Sequence, residues 1–204
     1  MTAAAQPTTD RAEVRTIVTG GIQLGILTTI GVAAFALLSR VLTGATEVVV
    51  QAGLIAVGGL VFSYLPAVWI RPRAADGIAW ASMVGLLGAL TFTVLDTAIL
   101  RPLHLYHWTW DAIGGGSGFW YIPVWWMGSA FLAWLGAYIV ALTAARGRDP
   151  HPLAVGAQTA GLGVLLFAIA AGTSLLSFHA AIAALAFAAA LVLHVPVAAV
   201  IHRR

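Results

Sequence analysis

FHAAIAALAFAAALVLHVPVAAVI, residues 178–201, contains no Asp, Glu, Lys or Arg and is built mainly of alanine, leucine and valine. As an α-helix rising 1.5 Å per residue, a stretch of this length exceeds the roughly 20 residues needed to cross a hydrocarbon core of about 30 Å. Working outward toward the N-terminus, five more stretches of the same kind appear, over 17–38, 48–70, 77–100, 118–144 and 152–176. Backbone amides in lipid must be satisfied within their own segment, and these runs lack the alternation of transmembrane barrel strands. The expectation is an all-α polytopic membrane bundle of six transmembrane helices, forming a single domain over residues 1–204. Composition agrees, because 61% of the residues are hydrophobic and 8% are charged, which excludes an ordinary soluble domain.

Residues 1–16 read as a polar cytoplasmic tail, since the apolar run behind them is too long for the core of a cleavable signal. There is no cysteine, so disulfides, thiolate metal sites and cysteine nucleophiles are excluded. All ten basic residues are arginine, and their positions decide orientation. Arg11, Arg15, Arg71, Arg73, Arg146, Arg148, Arg203 and Arg204 fall on one side of a six-span topology, and only Arg40 and Arg101 fall on the other. The positive-inside rule then predicts a multi-pass protein of the cell membrane with both termini cytoplasmic. The sequence pI of about 10.0 reflects this topology and suits attraction to anionic headgroups. Nucleic-acid binding would need a denser basic patch, so no nucleic-acid partner is expected.

Polar chemistry gathers between the third and fourth spans, in DTAILRPLHLYHWTWDAIGGGSGFWYIPVWW, residues 96–126. An ionisable group in a span is costly and normally pairs or faces a polar cavity, so Asp96 is the leading candidate, with Arg101 as its natural partner. If the helix continues outward, Asp96, Arg101, His104, His107 and Asp111 largely share one face. Pro102 opposes that continuation, making a kinked or re-entrant segment an equal expectation. His104, His107 and Asp111 have the spacing of a cation site but lack a glutamate to activate water. Interfacial anchoring, shared with Tyr106, Trp108 and Trp110, is the preferred reading, and no metal is expected.

Three other features carry less. His179 and His194 in the last span would need histidines from another helix to hold haem, and no other span contains one; hydrogen-bonded core histidines and no cofactor are expected. The Gly115–Gly118 string containing Ser117 resembles the serine motif of rhomboid proteases, with His179 as the base such a reading requires. A turn with Ser117 as helix N-cap is the simpler account. Gly21 and Gly25, Gly85 and Gly88, and Ala157 and Gly161 provide small-residue spacings for close helix approach, expected within one chain while leaving a homo-oligomer open.

Two family resemblances lie largely in the second half of the chain. Trp110 and Asp111 through Gly128, centred on SGFWYIPVWWMG, with the following RGRDPHPLAVG, resemble the helix-opening segment and post-helix loop of the insulin-induced gene (Insig) family. That resemblance implies six membrane helices, no catalysis, a bound sterol or diacylglycerol-like lipid and, in animals, retained partner proteins. Asp96, Trp108, Trp110, Tyr121 and Pro123 are similar to a pattern in membrane carotenoid hydratases and lycopene cyclases. Those enzymes protonate a polyene, which needs an acid in a dry aromatic cavity whose ring faces stabilise a carbocation. Val124, Trp125 and Trp126 stand where the cyclases carry an acidic pair, leaving Asp96 and Asp111 as the available acids.

Both resemblances imply a lipid, sterol-like or isoprenoid ligand, carotenoids included, among the helices. Trp120, Trp125, Trp126 and Trp134 supply aromatic surface along the fourth span, though their spacing spreads them over several faces. The expected ligand-binding set is Arg101, His104, His107, Trp108, Trp110, Trp120, Tyr121 and Trp125, in a binding or regulatory protein. The alternative is an isoprenoid-modifying cyclase or hydratase using Asp96 and Asp111 as its acids. A small transporter ranks third, because Gln23, Gln51, Gln158 and a few hydroxyls are nearly the whole mid-membrane polar inventory.

Overall fold

The computed structural model describes residues 13–105, 121–145, 151–172 and 180–200, with the backbone alone at 121, 122, 180 and 181. Among these residues there is no strand, and six helices are long and apolar enough to cross a membrane. They are α1 (Val14–Val41), α2 (Gly44–Ile70), α3 (Ala75–Leu95), α4 (Tyr121–Ala144), α5 (Pro152–Gly172) and α6 (Ala180–Val200), with a π-helical turn, Asp96–Leu100, continuing α3. The expected six-helix membrane architecture is therefore present. The first two helices run past their apolar stretches, because helical hydrogen bonding does not stop where lipid does. Arg40 lies in the last turn of α1 and Glu47 in the first turn of α2, each carrying the sign that its end of the helix dipole favours. The expected ends at 118–120, 173–176, 178–179 and 201 lie outside the described residues.

Proline sets the sharpest stop. The residue before a proline is disfavoured in the α region, and Arg71, before Pro72, ends α2 in the left-handed region at φ 52°. Its N–H still reaches back to the Ala67 carbonyl at 2.9 Å, so the helix closes with one further hydrogen bond.

Helix α2 touches each of the other five helices, while α3 packs between α1 and α4, and α5 pairs with α6. Packing is uneven along the bundle. Every buried residue of α2 lies between Phe62 and Ile70, and those of α5 lie between Pro152 and Gly163. The core, with Leu24, Tyr64, Ile70, Val84, Ile139 and Leu191 wholly or almost wholly covered, therefore sits toward the end of the bundle that carries Arg71.

Glycines mark the asymmetry. A Cβ on Gly136 would lie 2.0 Å from the Ser63 carbonyl oxygen, one on Gly25 would lie 2.4 Å from Thr91 Cβ, and one on Gly85 would lie 2.6 Å from Ala133 Cβ. The pairs Gly21 and Gly25 and Gly85 and Gly88 thus serve approach within the chain, as expected. At Gly31, Gly53, Gly58 and Gly161 an added Cβ would meet nothing within 4 Å, so close packing does not account for those glycines.

Candidate functional site

Asp96 is wholly buried at the junction of α3 and its π-helical turn. In an α-helix, a residue five positions on points about 140° away, at roughly 100° per residue. A π turn is closed by hydrogen bonds five residues apart, which brings the fifth residue back over the first. That geometry is present: the Arg101 N–H donates to the Asp96 carbonyl at 2.9 Å, and Arg101 Nε donates to Asp96 Oδ2 at 3.2 Å. The guanidinium side chain is 27% exposed while the carboxylate is covered, so the arginine takes the carboxylate's charge toward the surface.

Regular helix gives way to turns just beyond Leu100. Residues 101–104 form turns, and His104 takes a left-handed φ of 49°. Its Nδ1 lies 3.0 Å from the Pro102 carbonyl. Helical continuation through the whole set from Asp96 to Asp111 is therefore corrected: Arg101 before Pro102 keeps the helical conformation and the Leu103 N–H still reaches the Ile99 carbonyl at 3.2 Å, but the left-handed His104 ends the helix. The carbonyls left at this end are taken by Arg40 from α1, whose Nη2 donates to the His104 and Leu105 oxygens at 2.5 and 2.7 Å. Helix termini expose such unpaired carbonyls and favour cations there.

An aromatic wall adjoins this polar knot. Phe92, one turn before Asp96, is buried, and its ring centroid lies 5.7 Å from that of Trp125 at a tilt of 59°. Trp126 Nε1 donates to Thr93 Oγ1 at 3.1 Å, joining α4 to α3. Trp134 belongs elsewhere: 39% exposed, it stacks with Phe131 and Tyr138 at centroid distances of 6.0 and 5.3 Å. The expected spread of the tryptophans over several faces is what α4 shows.

Of the expected ligand and acid residues, the structure thus brings together Asp96, Arg101, His104 and Trp125 at one end of the bundle. His107, Trp108, Trp110, Asp111 and Trp120, with Ser117 and His179, lie outside the described residues, as does the side chain of Tyr121. Among the described residues no group of three potential metal ligands occurs.

Two features were not singled out by sequence reasoning. Arg40 enters the sequence argument only through its side of the membrane, a place it shares with Arg101 alone among the arginines. The second is a hydrogen-bonded chain across three helices, in which the Tyr64 hydroxyl pairs with Thr159 Oγ1, and Thr159 Oγ1 lies 2.6 Å from His194 Nδ1. All three are buried. Thr159 Oγ1 joins the other two groups, and its hydroxyl also lies 3.4 Å from the Val155 carbonyl, so the three polar side chains are satisfied together. His194 is thus the hydrogen-bonded core histidine expected, with its partner on α5.

Comparison with protein-family models, curated proteins and solved structures finds no match.

Proposed function

We propose that this chain is a multi-pass cell-membrane protein with both termini cytoplasmic, which holds a lipid, sterol-like or isoprenoid ligand without chemically altering it. The supporting observation is the contrast between a packed Arg71 end and an open Asp96 end. At the latter, the outward half of α2, Gly44–Val61, buries no residue, and Gly31, Gly53 and Gly58 have no side-chain neighbour. A bundle that leaves apolar, glycine-bearing surface toward the same end as a buried ion pair and Trp125 offers one polar anchor and a broad apolar bed. That combination suits an amphipathic ligand of low polarity. Asp96 is engaged by Arg101 within its own segment, which favours a structural and anchoring role over that of an acid.

Mass spectrometry of lipids extracted from the purified protein tests this reading. One unchanged lipid or isoprenoid species, enriched at near-stoichiometric amount and diminished by Trp125→Ala, is the expected result. Conversion of linear carotenoids or prenyl substrates by membranes holding the protein, lost in Asp96→Asn or Asp111→Asn, would overturn it in favour of the enzyme. Orientation has its own test. Tyr106→Cys and Gly147→Cys should react with impermeant thiol reagents from opposite faces, the former from outside.

A further inference from the structure

We propose that the Arg71 end of the bundle carries a separate binding site for an anionic phospholipid, with its phosphate between Arg71, Arg73 and His151 and an acyl chain between α2 and α5. Arg71 and Arg73 come from the α2–α3 connection and His151 from the residue before α5, and together they line a cavity of about 160 Å³ walled by Val140, Ala144 and Pro152. A water molecule takes roughly 30 Å³ in the liquid, so the space accommodates a phosphate group with water to spare. Asp76, in the first turn of α3, is not part of the cavity wall. The 21-residue helix α5 begins at Pro152, so its N-terminal dipole adds to the positive potential of Arg71 at the cavity.

A free anion would need nothing more, but the surface continues. Immediately beyond the cavity, an apolar groove of about 210 Å³ runs between α2 and α5, lined by Leu60, Val61, Tyr64, Leu65, Leu153 and Ala157. Val61, Leu65 and Val68 recur at helical spacing along one stripe of α2, with the first two in the groove and the third in the cavity. On α5, Pro152 and Leu153 are adjacent residues divided between the same two spaces. A cationic cavity next to a nearly all-carbon groove along the same α2–α5 seam matches a charged headgroup attached to a hydrocarbon chain. Zwitterionic headgroups bring their own ammonium and gain less from two arginines, so a net negative phosphodiester is the preferred class.

The site shares no residue with the Asp96 end and needs no assumption about orientation, so either proposal can fail alone. Native mass spectrometry of the detergent-purified full chain, titrated with phosphatidylglycerol or phosphatidylcholine of matched acyl chains, tests it. Phosphatidylglycerol adducts should form preferentially. Arg71→Asn, chosen because asparagine accepts a left-handed φ, and Arg73→Gln should each weaken them roughly fivefold. Leu65→Trp, which fills the groove and leaves both arginines in place, should also weaken them. Equal binding of the two lipids, or an unchanged preference in the Arg71→Asn/Arg73→Gln double variant with native melting, overturns the proposal. So does phosphatidylglycerol binding that Leu65→Trp leaves intact and millimolar inorganic phosphate abolishes, since that outcome assigns the cavity to a free anion.

Discussion

At the Asp96 end, a charged pair is held by a single segment that changes its own pitch; toward the Arg71 end, a phenol, a hydroxyl and an imidazole are held by three helices that must stand in register. Asp96 and Arg101 are five residues apart, and the π turn alone superposes them. Tyr64 and Thr159 are 95 residues apart, and Thr159 and His194 are 35 apart. Only tertiary packing brings those together. A local pair survives loose surroundings, whereas a three-helix hydrogen-bonded chain does not, and the packing follows this division. Gly136, Gly85 and Gly21 are pressed against neighbours, and Gly31, Gly53 and Gly58 meet none, while Gly59 marks the boundary by packing on Phe187 of α6. A membrane bundle lacks a hydrophobic drive between its helices and relies on close van der Waals contact and buried hydrogen bonds. The Arg71 end concentrates both.

The most severe break in this contrast is a pair of identical substitutions. Gly136→Leu would place its Cβ where the Ser63 carbonyl stands, at 2.0 Å, and neither backbone can retreat without separating α2 from α4. It should cost about 3 kcal/mol or more, read as loss of a monodisperse peak in detergent or a large fall in melting temperature. Gly53→Leu, in the open half, should stay within about 0.5 kcal/mol of the parent. Equal damage from both would mean that the Gly44–Val61 half of α2 is packed in the membrane.

Next in size is Asp96→Ala. Removing one member of a buried pair leaves the other uncompensated, at about 3–5 kcal/mol when both are enclosed. Arg101 is 27% exposed and can turn outward, so about 2 kcal/mol is expected. The Asp96→Ala/Arg101→Gln double variant should regain part of the loss in a melting-temperature cycle. Strict additivity would show that the pair does not couple. Thr159→Val follows, since it keeps shape but strips Tyr64 and His194 of their shared partner. It should cost about 1–2 kcal/mol, with Thr159→Ser close to neutral. Indistinguishable melting of Thr159→Val and the parent would remove the three-helix chain from the account of how the Arg71 end holds together.

The sequence makes the two ends legible to different degrees for the same reason. Six spans are visible because lipid imposes a local requirement, a long apolar run that satisfies its own amides, and composition records it. The Asp96–Arg101 pair is visible because both partners sit on one segment. Its π turn is less so, since the α and π forms place residue 101 differently and the residue types alone do not choose between them. Pro102 shows that the helix must stop but not how the last turn adjusts beforehand. The chain from Tyr64 to His194 is hidden, because no single sequence states which faces of α2, α5 and α6 meet. His194 in an apolar run signals only that some partner is needed. The Arg71 cavity joins residues from the ends of three helices; sequence identifies its arginines as topological markers and leaves their convergence with His151 unstated.

Arg40 gives the smallest effect and bears most directly on whether the Asp96 end is truly local. Its bonds to the His104 and Leu105 carbonyls are the tertiary contribution to that end, because they tie α1 to the turn that closes the Asp96 segment. Arg40 is exposed, and water can take over both carbonyls, so Arg40→Gln should leave global melting unchanged. What it should alter is fraying: hydrogen exchange at the amides of Leu103, His104 and Leu105 should quicken about fivefold. The Arg101 amide, bonded within the π turn to Asp96, should keep its protection. If Arg101 loses protection together with the turn, the π geometry depends on α1 and the local account of the ion pair fails. If none of these amides responds, Arg40 contributes nothing there, and the one departure it makes from the arginine pattern stands without a structural reason.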